Sequence, residues 1–286
     1  TNPYTAHLIQ HVLVTERALY HHPEFSPALQ ACILLNCKNN KSDFRINLAS
    51  ENVIAACSDT VTPQGVVATC TIPDPFDYTR SNASDITPKI YLILDGVSDP
   101  GNVGTLIRSS VASGVSAIFL LPGCVDPYSS KALRSAMGAT FRIPLKSFSR
   151  IDECWEFLNS CCGVTKKRIY AATLDASTLR PEQNDDPEKQ IKSTSPMHTD
   201  IDWITDSSNG IGSSTTDSAI IIGREGSGLS SEIRSAVLCG KISSVHVAME
   251  GGMESLNAAV CGSVILFEYA RQKREYVRRI GNDARR

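Results

Sequence analysis

No apolar run in this 286-residue sequence approaches the roughly 18 residues that a membrane-spanning helix needs. The opening TNPYTAHLIQ has no basic region followed by an apolar block, so no secretory signal is expected. None of the ten cysteines (32, 37, 57, 70, 124, 154, 161, 162, 239 and 261) forms a C-x-x-C pair, and adjacent Cys161 and Cys162 are poorly spaced for a metal. Scattered, reduced and mostly buried thiols are expected, with no metal site. The six histidines show no ligand spacing either; His21 and His22 read as a solvated pair in a turn before Pro23. A phosphate-cradling G-x-x-x-x-G-K-[ST] loop is missing. So is the dinucleotide fingerprint, because Gly96, Gly101 and Gly104 do not match G-x-G-x-x-G, and Gly223, Gly226 and Gly228 are wrongly spaced and come too late. That argues against a dinucleotide-dependent oxidoreductase. The Gly-x-Ser-x-Gly elbow of serine hydrolases is absent too.

Charge is nearly balanced, at a net −2, which at first speaks against a nucleic-acid partner. The distribution weakens that objection. Residues 175–217 hold nine acidic and three basic side chains, so the remainder is net positive. Basic residues gather at Lys131, Arg134, Arg142, Lys146 and Arg150, and again from Arg271 to Arg286. Such a distribution permits a basic patch on a nearly neutral chain.

At 42% hydrophobic and 20% charged, the sequence supports a packed core. In the first 70 residues, AHLIQHVLVTERALY has helical spacing, while ACILLNC, NVIAACSD and GVVATC are short apolar segments, with Pro63-Gln64-Gly65 a turn. Residues 1–72 are expected to form a small α/β domain, and the Pro-, Asp-, Ser- and Thr-rich stretch 73–88 a linker. From residue 89 to about 280 the rhythm changes. IYLILDG, VSAIFLLPG, RIPLKSF, RIYAATLDA, AIIIG and KISSVHVAM read as strands. VGTLIRSSVASG, SKALRSAMGA, IDECWEFLNSCCG, SSEIRSAV and ESLNAAVCGSVILFEYARQ read as helices between or after them. Alternation of this kind predicts an α/β fold with a parallel sheet. The polar, acidic stretch 177–217 interrupts it and reads as a surface insertion or mobile loop, which Trp203 could anchor in part.

Three glycine-bearing segments follow predicted strands, where ligands collect in open α/β sheets. They are Asp95–Gly104 leading to Arg108, Gly223-Arg-Glu-Gly-Ser-Gly228, and Met249-Glu-Gly-Gly-Met-Glu-Ser-Leu-Asn257. Glycines let a backbone approach a ligand closely, and backbone groups can read an adenine edge unaided. The carboxylates of Glu225 and Glu254 could do acid–base work, but Glu225 could equally hold its own tight loop. Composition therefore supports a nucleotide-like pocket and nothing narrower.

Taken in order, the segments resemble the SpoU/TrmH family of RNA ribose 2′-O-methyltransferases, of the knotted SPOUT class. Asp99-Pro-Gly-Asn102-Val-Gly104 with Arg108 and Gly114 looks like the family's first motif. Lys131–Pro144 is similar to its intermediate block, Gly223-Arg-Glu225-Gly226-Ser-Gly228-Leu229 to its middle motif, and Glu254-Ser255-Leu256-Asn257 to its last. The likeness covers about residues 88–275, and residues 1–70 more loosely resemble the family's ribosomal-protein-like substrate-binding domain, best at Asn2-Pro3 and Thr62–Ala68.

The resemblance implies a C-terminal deep trefoil knot, one of the rare exceptions to unknotted chains. It implies S-adenosylmethionine as cofactor, held at Gly223, Val247 and Leu256 with Thr173, Met249 and Ser255 nearby, a homodimer with its active site near the subunit interface, and RNA as partner, rRNA before tRNA. A ribose 2′-oxygen would displace the sulfonium methyl in line, the enzyme contributing mainly positioning. Arg108 is the implied central catalytic residue. A guanidinium stays protonated at neutral pH, so gripping the neighbouring phosphate suits it better than acting as base. Asn102 would hold the loop or the ribose, Glu225 the glycine loop and Arg108, and Asn257 the region of the methyl donor. The family's Ile-Pro-Met is here Val247-Ala248-Met249; without proline's fixed φ a looser cofactor loop is expected. That leaves a catalytically weak, RNA-binding assembly factor as the rival reading. An intracellular location is expected, in cytoplasm or organelle.

Overall fold

The computed structural model describes residues 9–21, 44–74, 87–173, 195–205, 216–251 and 255–283, with isolated positions between 27 and 34. The chain divides into two compact units, Thr1–Asp77 and Tyr78–Arg286. Glu254, His22, Cys32, Cys37, the Asn2-Pro3 match, most of ACILLNC and most of the expected linker lie outside the described residues.

In the first unit, β1 (Ile9–Val14) is followed by α1 (Glu16–His21), β2 (Arg45–Leu48), α2 (Glu51–Ala56) and β3 (Val66–Cys70). The three strands form a sheet in the order β2-β1-β3, with β2 parallel and β3 antiparallel to β1. The helical reading of AHLIQHVLVTERALY is thereby corrected: Ile9–Val14 is the central strand, and only Glu16–His21 is helical. A short apolar run fits both periods. Here Val12 and Val14, two apart, point to one face and are buried with Ala18, while ladders on both edges satisfy the strand's backbone. Thr15 separates strand from helix. Its Oγ1 accepts from Ala18 N at 3.1 Å, and its backbone N–H donates to Gly65 O at 2.9 Å. Gly65, with φ +81°, makes the expected turn before β3.

The second unit is built on six parallel strands: β4 (Ile90–Leu94), β5 (Ala117–Leu120), β6 (Leu145–Ser147), β7 (Ile169–Ala172), β8 (Ser218–Ile222) and β9 (Ser243–Val245), in the order β6-β5-β4-β8-β7-β9. Strands covered on both faces read as continuous apolar runs, and β4, β5 and β8 are buried at every residue. Alternate side chains serve opposite cores. Leu92, Leu94, Ile220 and Ile222 pack with Leu106 and Ile107 of α3 (Pro100–Ser113) and Ile265, Leu266 and Tyr269 of α7 (Ala258–Asp283). Tyr91, Ile93, Phe119 and Ile221 pack with Cys154 and Leu158 of α5 (Ile151–Cys161) and Ile233 of α6 (Ser231–Leu238).

α3 has clear end signals. Asp99 caps it, Pro100 opens it, and Gly114 in the left-handed region (φ +80°) stops it. It lies between α4 (Ser130–Ala136) and α7. A Cβ on Gly104 would sit 2.9 Å from Ala136 N, and one on Gly262 2.6 Å from Leu106 Cδ2, so both helices approach α3 through a glycine. Ser263 donates to Ser109 Oγ at 2.7 Å across the second contact.

Part of the expected surface insertion is core. Trp203 is fully buried, with Ile201 and Ile204 beside it, and its ring meets Tyr170 edge-on at 4.9 Å. Gln272 of α7 receives Trp203 N–H at 3.0 Å and donates to Ile201 O at 3.0 Å. Residues 195–205 are therefore a packed strap, although their polar neighbours in sequence disguise it. The thiols also depart from expectation. Cys154 is buried, but Cys57, Cys70, Cys161 and Cys239 are exposed. Among the described residues no helix is long and apolar enough to cross a membrane, and no cluster of His, Cys, Asp and Glu could hold a metal.

Candidate functional site

Two of the glycine segments, Gly223–Gly228 and the one ending at Asn257, meet at the carboxyl ends of β7, β8 and β9, and the first, after β4, reaches them through Asn102. There a cavity of about 730 Å³ is lined by Thr173, the loop Gly223–Leu229, Arg234, Val247, Met249, Ser255–Ala258 and Cys261. That volume is ordinary for a small-molecule site. All six residues expected to hold the cofactor (Gly223, Val247, Leu256, Thr173, Met249 and Ser255) line it.

The walls follow from local sequence. Gly223 is required because a Cβ there would lie 2.6 Å from Gly228 O, where the loop doubles back on itself. The loop is pinned by Arg224 N to Gly228 O at 2.9 Å and Gly228 N to Arg224 O at 3.1 Å. Arg234 of α6 holds its far side, donating from Nε to Leu229 O at 2.7 Å and from Nη2 to Ser227 O at 3.0 Å. Asp95, at the end of β4, is 3% exposed and takes Ser230 N–H on Oδ2 at 2.6 Å. Asp95 and Arg234 were not foreseen as site residues. Asp95 carried one signal, an acid ending an apolar strand, but its partner lies 135 residues away.

At the cavity edge three of the four expected catalytic residues come together. Asn257 Nδ2 donates to Asn102 Oδ1 at 3.0 Å and to Glu225 Oε1. Asn257 Oδ1 meanwhile caps α7, accepting from Ala259 N at 2.9 Å and Val260 N at 3.2 Å. Both ends of one amide thus organise the site. Glu225 is bonded by Asn257, and no bond joins it to Arg108 among the described residues. Arg108 stands apart: six residues beyond Asn102, about 120° round α3, it is exposed and does not line the cavity.

Asp99 sets the start of α3. The Asn102 backbone N–H, donated to its Oδ1 at 2.8 Å, holds its carboxyl below the usual range, and Lys131 at 3.5 Å adds to this. Burial pushes the Cys261 thiol in the cavity wall up to about 11, so it sits there as a neutral group. The expected basic cluster is partly spent elsewhere. Lys146 lies over Phe148 and Phe157, Arg150 pairs with Asp152 at 3.3 Å, and Arg271 bridges Glu268 and Glu275 at 2.7 Å each.

Thr173 Oγ1 is consistent with a ligand in the cavity: it is buried and has no hydrogen-bond partner among the described residues. A buried hydroxyl left unpaired is costly, and a ligand heteroatom would satisfy it. Beside it, Ile222, Leu229, Val247, Leu256 and Ala258 supply apolar surface suited to a purine ring.

With this geometry in hand, the comparisons with known proteins are specific. The chain is 29% identical over 248 residues to mitochondrial rRNA methyltransferase 3 of Mus musculus, covering 79% of this chain and 57% of that protein. It is 31% identical over 229 residues to mitochondrial rRNA methyltransferase 3A of Danio rerio, covering 75% and 51%. The chain thus spans little more than half the length of these relatives. Against a 23S rRNA (guanosine-2′-O)-methyltransferase of Bacillus subtilis it is 29% identical over 223 residues, covering 77% and 70%. Its fold is that of the AdoMet-bound rRNA methyltransferase from Sinorhizobium meliloti, with a TM-score of 0.62 at 21% identity over 92% of this chain and 80% of that one. The SpoU rRNA Methylase family model matches residues 89–267, more than half of the chain and all of the cavity, so this chain belongs to the SpoU rRNA Methylase family.

Proposed function

We propose that the chain uses S-adenosylmethionine to methylate a ribose 2′-hydroxyl in RNA, rRNA before tRNA. One observation carries the reading: a single strand-end cavity is lined by every expected cofactor residue and bordered by Asn102, Glu225 and Asn257, linked through one amide. The bound cofactor would supply an electrophilic methyl on a sulfonium. Val247, Leu256 and Ala258 would cover its adenine, backbone groups of Gly223 and its neighbours would read the ring edge, and Thr173 Oγ1 would gain a partner. Asn102 and Asn257 would fix the ribose beside the cavity. Arg108 would hold the adjoining phosphate as a permanent cation.

The position of Arg108 outside the cavity favours a dimeric site. On α7, Val260, Val264 and Phe267 form a stripe at helical spacing, 49%, 36% and 45% exposed. The Ser263–Ser109 bond sets this stripe beside the helix that carries Arg108. We read the stripe as a homodimer face that brings one subunit's Arg108 towards the partner's cavity. Phe267→Arg is expected to yield a monomer in sedimentation. The trefoil knot belongs to the same reading and rests on the family resemblance. The first unit, with β1 at its centre, is assigned to RNA docking, and the protein to the inside of the cell, in cytoplasm or organelle.

Calorimetric titration with S-adenosylmethionine is the direct test, followed by mapping of 2′-O-methyl sites in rRNA and tRNA with and without the protein. Saturable binding and a lost ribose methyl are expected. No binding at millimolar cofactor would sink the enzyme reading in favour of an RNA-binding assembly factor.

A further inference from the structure

Arg224 sits between two residues already assigned, Gly223 in the cavity wall and Glu225 bonded to Asn257, yet nothing so far uses its side chain. Its backbone is fixed by the reciprocal bonds to Gly228, so the side chain leaves from a rigid point. Two glycines border the Nε/Nη2 edge of the guanidinium. A Cβ on Gly96 would fall 2.7 Å from Nη2 and 2.8 Å from Cζ, and one on Gly123 2.8 Å from Nη2. Both glycines have positive φ, +69° and +86°, and they follow β4 and β5. Any side chain at either place would displace the guanidinium.

The two glycines lie along the Nε/Nη2 edge of the guanidinium and offer it no acid. The nearby carboxylates are engaged: Asp95 is turned inward to Ser230, Glu225 is held by Asn257, and Asp99 by Asn102 N and Lys131. Arg224 is exposed and makes no side-chain hydrogen bond or ion pair among the described residues. A planar fork, immobilised at its base, bordered by glycines along one edge and lacking an internal counter-charge, matches a bidentate oxyanion at its open Nη1/Nη2 end.

We propose that Arg224 clamps a phosphodiester of the RNA substrate next to the ribose to be methylated. This rests on the reading of the cavity as the cofactor site, because Arg224 is part of the loop that lines it. It adds a phosphate contact distinct from that of Arg108, from a different element and within the same subunit as the cavity.

The test is a salt titration. Binding of a short fluorescein-labelled single-stranded RNA of mixed sequence is measured by anisotropy against KCl for the wild type, R224Q and R224K. Cofactor affinity and melting temperature are measured on the same samples. R224Q is expected to weaken RNA binding about tenfold and to lower the slope of log K against log salt by about 0.7, the loss of one phosphate contact. R224K is expected to keep the slope while losing part of the affinity. An unchanged slope in R224Q, or a loss confined to S-adenosylmethionine, overturns the clamp and makes Arg224 a loop latch or a cofactor ligand. Wild type that binds cofactor without salt-dependent RNA binding overturns the clamp alone. Wild type that binds neither overturns the enzymatic reading as well.

Discussion

Asn257 donates to Asn102 at 3.0 Å across 155 residues of sequence, and so joins the first turn of α3 to the cap of α7. The same amide caps one helix and orders two other polar residues, and its two duties can be separated. Asn257→Ala should lower stability by about 1–2 kcal/mol through the lost cap and abolish methyl transfer. Asn257→Asp keeps an oxygen for Ala259 and Val260 but loses the donor to Asn102 and Glu225. It should melt near wild type and transfer methyl about 100-fold more slowly. Equal melting of the two variants would contradict this division.

Arg108 lies on an exposed stripe of α3, and no internal bond depends on it among the described residues. Arg108→Ala should leave melting temperature and cofactor affinity unchanged while methyl transfer falls about 100-fold. Arg108→Lys should recover little, because an ammonium lacks the planar fork. Wild-type turnover by the alanine variant would remove Arg108 from the site.

Trp203 belongs to a strap held by Gln272 and packed on Tyr170. Trp203→Ala should cost about 3–5 kcal/mol in denaturant titration, a core value and not a loop value. A cost under about 1 kcal/mol would return residues 195–205 to the surface.

Asp99 gives the fold a pH dependence. Its folded carboxyl titrates below the unfolded one because Asn102 N–H and Lys131 favour the charged form. The stability it contributes is fully present above about pH 4 and drains away as pH falls through the folded value. Asp99→Asn retains a neutral cap, so its stability should fall less than that of wild type between about pH 5 and pH 3. Parallel pH curves would deny the carboxylate this role.

The thiols should sort by burial. Cys154, pushed up to about 12, and Cys261, up to about 11, are expected to resist alkylation at neutral pH, while exposed Cys57, Cys161 and Cys239 react first. S-adenosylmethionine should slow any residual labelling of Cys261 and leave Cys239 unaffected. Cofactor protection spread evenly over all the thiols would argue for global tightening instead of occupancy of this cavity.

Much of the second unit was legible because its signals are local. The apolar run Ile90–Leu94, the Asp99 cap and the Gly114 stop each declare themselves within a few residues. The glycine segments declared the cavity for the same reason. What was hidden depends on distant partners. Ile9–Val14 carries both helical and strand periods, and only pairing with β2 and β3 decides between them. Trp203 sits among serines, threonines and acids, and its burial is conferred by Tyr170 and α7. Asp95 looks like a strand terminus until Ser230 arrives, and nothing in the spacing of Gly96 and Gly123 announces that a guanidinium will lie beside both.

α7 supplies the Asn257 bridge, the Cys261 wall and the fully buried Tyr269, whose hydroxyl donates to Pro88 O at 2.7 Å. The segment that closes the site is therefore also the segment that fastens the unit's beginning to its end. On a ribosome, strands β4 to β9 would emerge before either job is done. A nascent chain stalled short of Asn257 would carry strands β4 to β9 and yet no finished cavity wall, so competence to bind a ligand there would arise only as α7 docks.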